Sequence, residues 1–252
     1  MTIQAPRLVV PRAALPYALL QRLELQHLGS RLNRTLAGQV AYHFYEKVPA
    51  LRRLYRFLST RLEPRLRPNE IASAYSNIMA REFETIRPHL PERIETVAGI
   101  GAGIAGLEAH LSSHLAQLGR ERPEIFLVDK SGLGEVFYGY QETATAYNSL
   151  EVARELLTDN GHPQEQITLI DASAPEDIVL PDLDLVTSLI AWGFHFPVAT
   201  YLDSVYVSLR NTGVLIMDVR KGTDGREVLS TRFKTVTVIL DELRFERVLA
   251  RK

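Results

Sequence analysis

Apolar residues recur along the chain with two different periods, and the change from one to the other divides the chain into two regions. Over residues 14–45 and 69–87 the apolar positions lie three or four residues apart, which is the spacing of amphipathic helices. A further short helix is predicted from Pro49, and Pro88 and Pro91 end the helical pattern. We therefore predict that residues 1–90 form an N-terminal helical region.

Short apolar runs alternate with helical patterns after residue 91. We predict strands at 96–100, 125–128, 166–170, 183–189 and 214–219, with helices at 104–118, 149–160 and 198–209 between them. Two last runs, 235–240 and 244–250, are separated only by a short polar turn and predict an antiparallel hairpin. Strands that alternate with helices are typical of a mostly parallel sheet covered by helices. The sequence thus predicts a second, α/β domain over residues 91–252.

Composition changes this picture little. The chain has no cysteine, which excludes disulfides, thiolate metal sites and cysteine nucleophiles and fits a cytoplasmic protein. No apolar run approaches the ~20 residues that a membrane-spanning helix needs, so we expect no membrane association.

Charge is distributed unevenly between the two regions. Residues 1–68 carry a net charge of +9 and the remainder −10. The basic helices either pack on the acidic domain, within one chain or across a homodimer, or attract an anionic substrate or nucleic acid. We favour packing because a run of charge is usually a solvated face, and we expect no nucleic-acid partner.

The first predicted strand of the α/β domain ends in a glycine-rich turn, Gly101-Ala102-Gly103. Glycine allows left-handed backbone angles and close approach of the main chain to a ligand. The helix that follows offers unpaired amide groups at its start. Asp129 ends the second strand, where a carboxylate can accept hydrogen bonds from a ribose diol. These features predict a nucleoside-binding βαβ unit.

Two families fit this unit. Residues 101–106, GAGIAG, match the G-x-G-x-x-G pattern of NAD and FAD enzymes. The same run resembles the first motif of class I S-adenosylmethionine-dependent methyltransferases, in which the glycine turn holds the methionine part and the second-strand acid holds the ribose. The chain departs from that motif at Gly99, where the family usually has an acid, and at Ala105, where it has a third glycine. The turn alone leaves both families open.

The rest of the chain, over roughly residues 92–252, resembles the methyltransferase domain. Asp171-Ala172 after the third strand matches the acid-plus-small pair that faces adenine in that family. Residues 201–218 are similar to its helix, turn and fifth strand, with Thr212 in the place of the first glycine of the turn, and the last twenty residues to its closing strands. The resemblance implies a Rossmann-like sheet with an antiparallel C-terminal hairpin, capped by the N-terminal helices. It favours methyltransferase over an NAD- or FAD-binding oxidoreductase.

Within that family, residues 147–150 (YNSL) and 188–197 (SLIAWGFHFP) resemble bacterial small-molecule, sugar-type O-methyltransferases. The Asn-Pro-Pro run of DNA and RNA adenine methylases is absent after the fourth strand. We expect an enzyme that transfers a methyl group from S-adenosylmethionine to a hydroxyl of a small polar metabolite. Three alternatives stay open on the same fold: an N- or carboxylate-directed methyltransferase, an RNA methylase, and an inactive partner subunit.

The resemblance and the positions after strands give a set of cofactor-binding candidates. They are Gly99, Gly101, Ala102, Gly103, Asp129, Lys130, Asp171, Ala172, Ser188 and, on the helix before the first strand, Tyr75. Arg81 on that helix is a further candidate for the carboxylate of the cofactor.

His195 is the candidate general base, because histidine ionises near neutrality and this one is predicted in the loop after the fourth strand. The alternative is that it only braces Trp192 and Phe196. Candidates for the substrate pocket are Tyr138, Tyr147, Asn148, Trp192 and Phe194, although core packing is the commoner fate of aromatic residues. Asp218 at the end of the fifth strand has no second carboxylate at a convincing spacing, so we predict no metal site.

Overall fold

Seven strands form one mixed sheet in the computed structural model of the protein, which describes residues 6–25, 60–133, 140, 147–174 and 178–252. In chain order the strands of this described part are β1 (Thr96–Ile100), β2 (Glu124–Asp129), β3 (Gly132–Leu133), β4 (Tyr147–Asn148), β5 (Ile167–Asp171), β6 (Leu183–Ser188), β7 (Ala191–Phe196), β8 (Leu209–Arg220), β9 (Thr235–Asp241) and β10 (Phe245–Arg251). β3 and β4 pair separately as a short antiparallel ribbon.

The order of strands across the sheet is β5-β2-β1-β6-β8-β10-β9. β1 pairs in parallel with β2 and β6, β2 with β5, and β6 with β8, whereas β10 is antiparallel to β8 and β9. This confirms the predicted sheet, mostly parallel with an antiparallel C-terminal hairpin, which is the Rossmann-like arrangement of class I methyltransferases. The chain order reverses at β1, and ligands of such sheets bind outside the carboxyl ends of the strands at the reversal.

Helices cover both faces of the sheet. Those of the described ranges are α1 (Leu15–Gln21), α2 (Glu63–Leu66), α3 (Pro68–Ile86), α4 (Gly106–Gln117), α5 (Leu150–Asp159), α6 (Leu202–Ser208) and α7 (Gly225–Ser230). Because side chains alternate between the faces of a strand, Val97 of β1 packs with α4 and Ala98 with α6 and α7. None of the described helices combines the length and the apolarity that crossing a membrane requires.

The N-terminal helices share a core with the α/β domain. Leu15 and Leu19 of α1 and Ile71 of α3 lie in one buried cluster with Ile104 and with Leu127 of β2. α1 ends at Gln21, because Arg22 takes an extended conformation, φ −127° and ψ 93°. The break directs the end of α1 toward the carboxyl ends of the strands.

A buried ion pair fastens α3 to the last strands. Arg247 of β10 is fully buried and donates to both carboxylate oxygens of Asp218 on β8, at 2.7 and 2.9 Å. It also donates to Glu82 of α3 at 2.7 Å. Asp218 in turn accepts from the backbone N–H of Ile190 at 3.0 Å, so the same group fixes the turn after β6. Asp218 is thus part of a buried structural ion pair.

Two segments differ from the prediction. Residues 191–196, predicted as a loop, form β7, because Trp192, Phe194 and Phe196 are buried at every second position, as in a strand. β8 begins at Leu209, so the helix predicted over 198–209 is shortened to α6. The helices predicted between residues 26 and 59 lie outside the described residues.

Candidate functional site

A cavity of about 530 Å³ lies at the carboxyl ends of the parallel strands, a size within the usual range for small-molecule sites. Its walls come from three parts of the described chain: the ends of β1, β2, β5 and β6, the N-terminal helices, and the β7 and β10 side of the sheet. Residues from the strand ends are Gly101, Ala102, Gly103, Val128, Asp129, Lys130, Ala172, Leu189, Ile190 and Ala191. The strand order therefore brings most of the predicted cofactor-binding residues into one cavity.

The glycine turn has left-handed backbone angles at every second residue. The φ angles are +65° at Gly101, +59° at Gly103 and +59° at Ala105. Ala105 thus keeps the backbone of a third glycine, at a cost of roughly 1–2 kcal/mol for a residue with a side chain. The departure at this position leaves the shape of the turn unchanged.

Three amide groups of the glycine turn already have acceptors within the protein. These acceptors are Asp129 Oδ2 for Gly103 N (2.8 Å), Gln21 Oε1 for Ile104 N (3.2 Å) and Ala102 O for Ala105 N (3.0 Å). A phosphate at a helix start needs such amides free. This turn therefore lacks the donors that hold the diphosphate of NAD or FAD.

Asp129 is held in place by three donors. Oδ2 accepts from Gly103 N and from Asn148 Nδ2 (2.9 Å), and Oδ1 accepts from Lys130 N (2.7 Å). Burial raises the pKa of this carboxyl to about 6. An ionised carboxylate can accept about four hydrogen bonds, so Asp129 keeps capacity for a hydroxyl in the cavity.

Asn148 supports Asp129 from the other side. Its Nδ2 donates to Gly103 O at 2.6 Å as well as to Asp129, and its Oδ1 accepts from Gln21 Nε2 at 3.1 Å. Asn148, predicted for the substrate pocket, therefore lies with Gln21 at the glycine turn.

The N-terminal helices contribute residues that sequence reasoning missed. Gln21 and Arg22 at the end of α1, together with Glu82 of α3, line the cavity. Arg22 donates to Glu82 at 3.3 Å. Glu82 follows the buried Met79 by three residues, and a charged residue on an apolar helix face could have indicated a functional role from the sequence. No sequence pattern indicated Gln21 or Arg22, because their positions depend on where α1 ends.

His195 and Phe194 of β7 line the cavity beside Phe245 of β10. The Phe194 ring meets the His195 ring edge-on at 4.9 Å and the Phe245 ring at 6.1 Å between centroids. His195 is half-buried. The structure thus places His195 in a strand at an aromatic wall of the cavity, not in the predicted loop.

Trp192 and Ser188, both predicted for the site, make contacts within the core and the turn. Trp192 is fully buried and its indole N–H donates to Val198 O at 2.9 Å, so it belongs to the core below the cavity. Ser188 Oγ accepts from Trp192 N at 3.0 Å and closes the turn between β6 and β7. Neither residue lines the cavity.

Asp171 and Arg81 were also predicted for the site. Asp171 is exposed, and its Oδ1 accepts from the N–H and the hydroxyl of Ser173 at 3.0 and 2.7 Å. It does not line the cavity, although Ala172 does. Arg81 is exposed on α3 and does not line the cavity, whereas Arg22 and Arg244 do.

Four further predicted residues remain. Gly99 is not among the residues that line the cavity, because the Glu108 side chain covers it. Tyr75 is buried and lines the cavity, with its hydroxyl against Gly106. Tyr147 pairs with Leu133 in the β3–β4 ribbon, whereas Tyr138 lies outside the described residues.

The described residues fit an adenosine carrying an amino-acid group better than a dinucleotide. Asp129 offers an acceptor for sugar hydroxyls next to the apolar side chains of Val128 and Ala172. Arg22 and Glu82 present opposite charges, which complement a carboxylate and an ammonium group. S-adenosylmethionine has this combination of groups, and it needs no phosphate-binding amides.

Comparisons with known proteins support the fold only. No protein-family model and no curated protein matches the chain. A precorrin-6y C5,15-methyltransferase from Geobacter metallireducens is 19% identical, over 70% of this chain and 88% of that one, with a TM-score of 0.46. A 16S rRNA N2 G1207 methyltransferase from T. thermophilus is 14% identical, over 69% and 42%, with a TM-score of 0.48.

A possible exported protein from Bordetella parapertussis aligns over 96% of this chain and 94% of its own, at 16% identity and a TM-score of 0.47. Class I methyltransferases are thus among the solved structures to which the chain is similar. Because these scores lie below 0.5, the assignment rests on the strand order and the cavity described above. On those grounds the fold is the class I methyltransferase fold.

Proposed function

We propose that the protein is an S-adenosylmethionine-dependent methyltransferase that acts on a hydroxyl of a small polar metabolite. The observation that carries the proposal is the glycine turn, in which Asp129 and Gln21 already accept hydrogen bonds from amides that a diphosphate would need. A carboxylate at that position would also repel a diphosphate. A ligand without phosphate does not need these amides, so it can still bind at the turn.

The cofactor residues have distinct roles in this proposal. Asp129 accepts hydrogen bonds from the ribose, Val128 and Ala172 contact the base, and Arg22 and Glu82 hold the amino-acid group. The bound cofactor supplies a methyl group on a sulfonium, whose leaving group departs without assistance. Most of the catalysis that the protein must provide is therefore alignment of the acceptor and exclusion of water.

His195 would take the proton of the acceptor hydroxyl as the methyl group is transferred. A general base contributes typically ~10²–10⁴-fold to such a step. The Phe194 and Phe245 rings beside it keep the neighbourhood apolar and limit access of water.

Calorimetry with S-adenosylhomocysteine tests the proposal. The wild-type protein should bind it, and Asp129→Ala should weaken binding by about 1.5–3 kcal/mol, the value of a charge-assisted hydrogen bond. Asp171→Ala is the matched control: this acid also follows a parallel strand, but it is exposed and bonded to Ser173, so its loss should leave affinity unchanged. Tight binding of NAD or FAD without response to S-adenosylhomocysteine would overturn the proposal.

A further inference from the structure

Glu108 is an acid in the middle of an apolar helix face. It lies on α4 between the buried residues Ile104 and Leu111 and is itself only 3% exposed. Carboxylates are rarely buried to this extent unless they are paired. The position of Glu108 therefore requires an explanation beyond packing.

The contacts of Glu108 leave half of its carboxylate unused. Oε1 accepts from the hydroxyl of Thr187 on β6 at 3.2 Å. Oε2 is buried and has no hydrogen-bond partner among the described residues. An unpaired buried group of this kind costs about 1–3 kcal/mol or more, so a residue chosen for stability alone would be apolar.

The carboxylate of Glu108 occupies the space where a side chain at position 99 would lie. A Cβ atom built on Gly99 would be 2.3 Å from Glu108 Oε1, 3.0 Å from its carboxyl carbon and 3.1 Å from the Cβ of Ala102. These distances are below van der Waals contact, so Gly99 and Glu108 are matched to each other. The carboxylate thus lies at the end of β1, directly against the glycine turn.

The charged and titratable neighbours of Glu108 are at the cofactor cavity. The charge of Asp129 raises the pKa of Glu108, and the charge of Glu108 raises the pKa of Tyr75 on α3. Burial raises the pKa of Glu108 to about 7. A positive charge near the turn would favour its ionised form.

We infer that Glu108 is a positioning residue of the cofactor site, whose carboxylate enters from α4 into the space left by Gly99 and supports the glycine turn. The inference rests on the proposed function. It gives the departure at Gly99 a physical reason: the acid expected on the strand is supplied by the helix that follows.

Two double variants separate the carboxylate from the volume that it fills. Gly99→Ala/Glu108→Ala removes both the close contact and the charge. Gly99→Asp/Glu108→Ala returns a carboxylate from the strand, since an aspartate oxygen lies about 2.4 Å from its Cβ, close to the 2.3 Å that separates Glu108 Oε1 from the Cβ built on Gly99. Both share the loss of the Glu108 side chain, so they differ in the carboxylate at position 99.

The measurements are the dissociation constant of S-adenosylhomocysteine and the thermal midpoint. We expect the Ala/Ala variant to bind at least tenfold more weakly than wild type, and the Asp/Ala variant to recover to within about threefold, with similar midpoints for the two. Wild-type affinity in the Ala/Ala variant, or no recovery in a folded Asp/Ala variant, would overturn the inference. Failure of the wild-type protein to bind at all would instead reject the proposed function, and the inference with it.

Discussion

At the scale of residues, two residues with side chains have left-handed backbone angles in the described part of the chain. Ala105 in the glycine turn and Ile190 at the cavity have φ angles of +59° and +51°, and a left-handed β-branched residue is a true outlier. Ile190 keeps this conformation while its N–H is held by Asp218. Strain that the surroundings enforce is concentrated at functional sites. The turn at Ile190 connects β6 to β7 and so determines where His195 meets the cavity.

The role of His195 can be measured with two substitutions. His195→Ala should lower kcat by about 100-fold or more, the contribution of a general base, with the affinity for S-adenosylhomocysteine nearly unchanged. His195→Gln should do no better, because an amide can hydrogen-bond the acceptor but cannot take its proton. Activity is followed as methyl transfer to a hydroxyl acceptor, and cofactor affinity by calorimetry.

Recovery of most of the activity in His195→Gln would contradict a base role. The side chain would then only position the acceptor, and transfer would need no protein base. The acceptor would in that case be a group that attacks without help, such as a free amine or a carboxylate.

At the scale of elements, the cavity depends on contacts between segments far apart in the chain. Gln21 of α1 and Asn148 of β4 meet above the glycine turn, and Arg247 of β10 joins α3 to β8. Glu82 takes part in the second contact and also lines the cavity. The ion-pair cluster therefore sets the distance between α3 and the sheet, and with it the width of the site.

Arg247→Met should destabilise the protein by about 3–5 kcal/mol, because it leaves Asp218 buried and uncompensated. Arg247→Met/Asp218→Leu should recover much of that loss, because two apolar side chains then replace the unpaired buried carboxylate. Arg226→Ala is the control: its pair with Glu246 is partly exposed, so its loss should cost at most ~1 kcal/mol. Guanidinium denaturation measures all three. A cost below 1 kcal/mol for Arg247→Met would show that the cluster does not hold α3.

At the scale of the whole molecule, the sheet could be predicted from the sequence because each strand is a local apolar run. Because Gly101, Gly103 and Asp129 follow or end neighbouring predicted strands, the sequence also predicted correctly that they are neighbours. Trp192 and Ser188 lie outside the cavity because residues 191–196 form β7 instead of the predicted loop. Gln21, Arg22 and Glu108 were missed because their positions depend on where α1 ends and on how α4 meets β1. Their positions are determined by tertiary packing, which the spacing of apolar residues along the sequence does not predict.

The N-terminal helices supply the last prediction. We propose that residues 1–90 act as a cap on the acceptor site or as a dimer interface, since α1 shares its core with Ile104 and Leu127 and places Gln21 and Arg22 at the cavity. Deleting residues 1–68 would expose the apolar face of α3, including Ile71 and Met79.

The truncated protein should therefore aggregate or unfold at a lower temperature and lose S-adenosylhomocysteine binding, measured by size-exclusion chromatography with light scattering, thermal unfolding and calorimetry. The full-length double substitution Gln21→Ala/Arg22→Ala is the control, because it removes the cavity contacts but keeps the core. It should weaken cofactor binding while the protein stays folded and keeps its oligomeric state. A soluble, monomeric truncation with wild-type affinity would show that the helices neither complete the site nor protect the core.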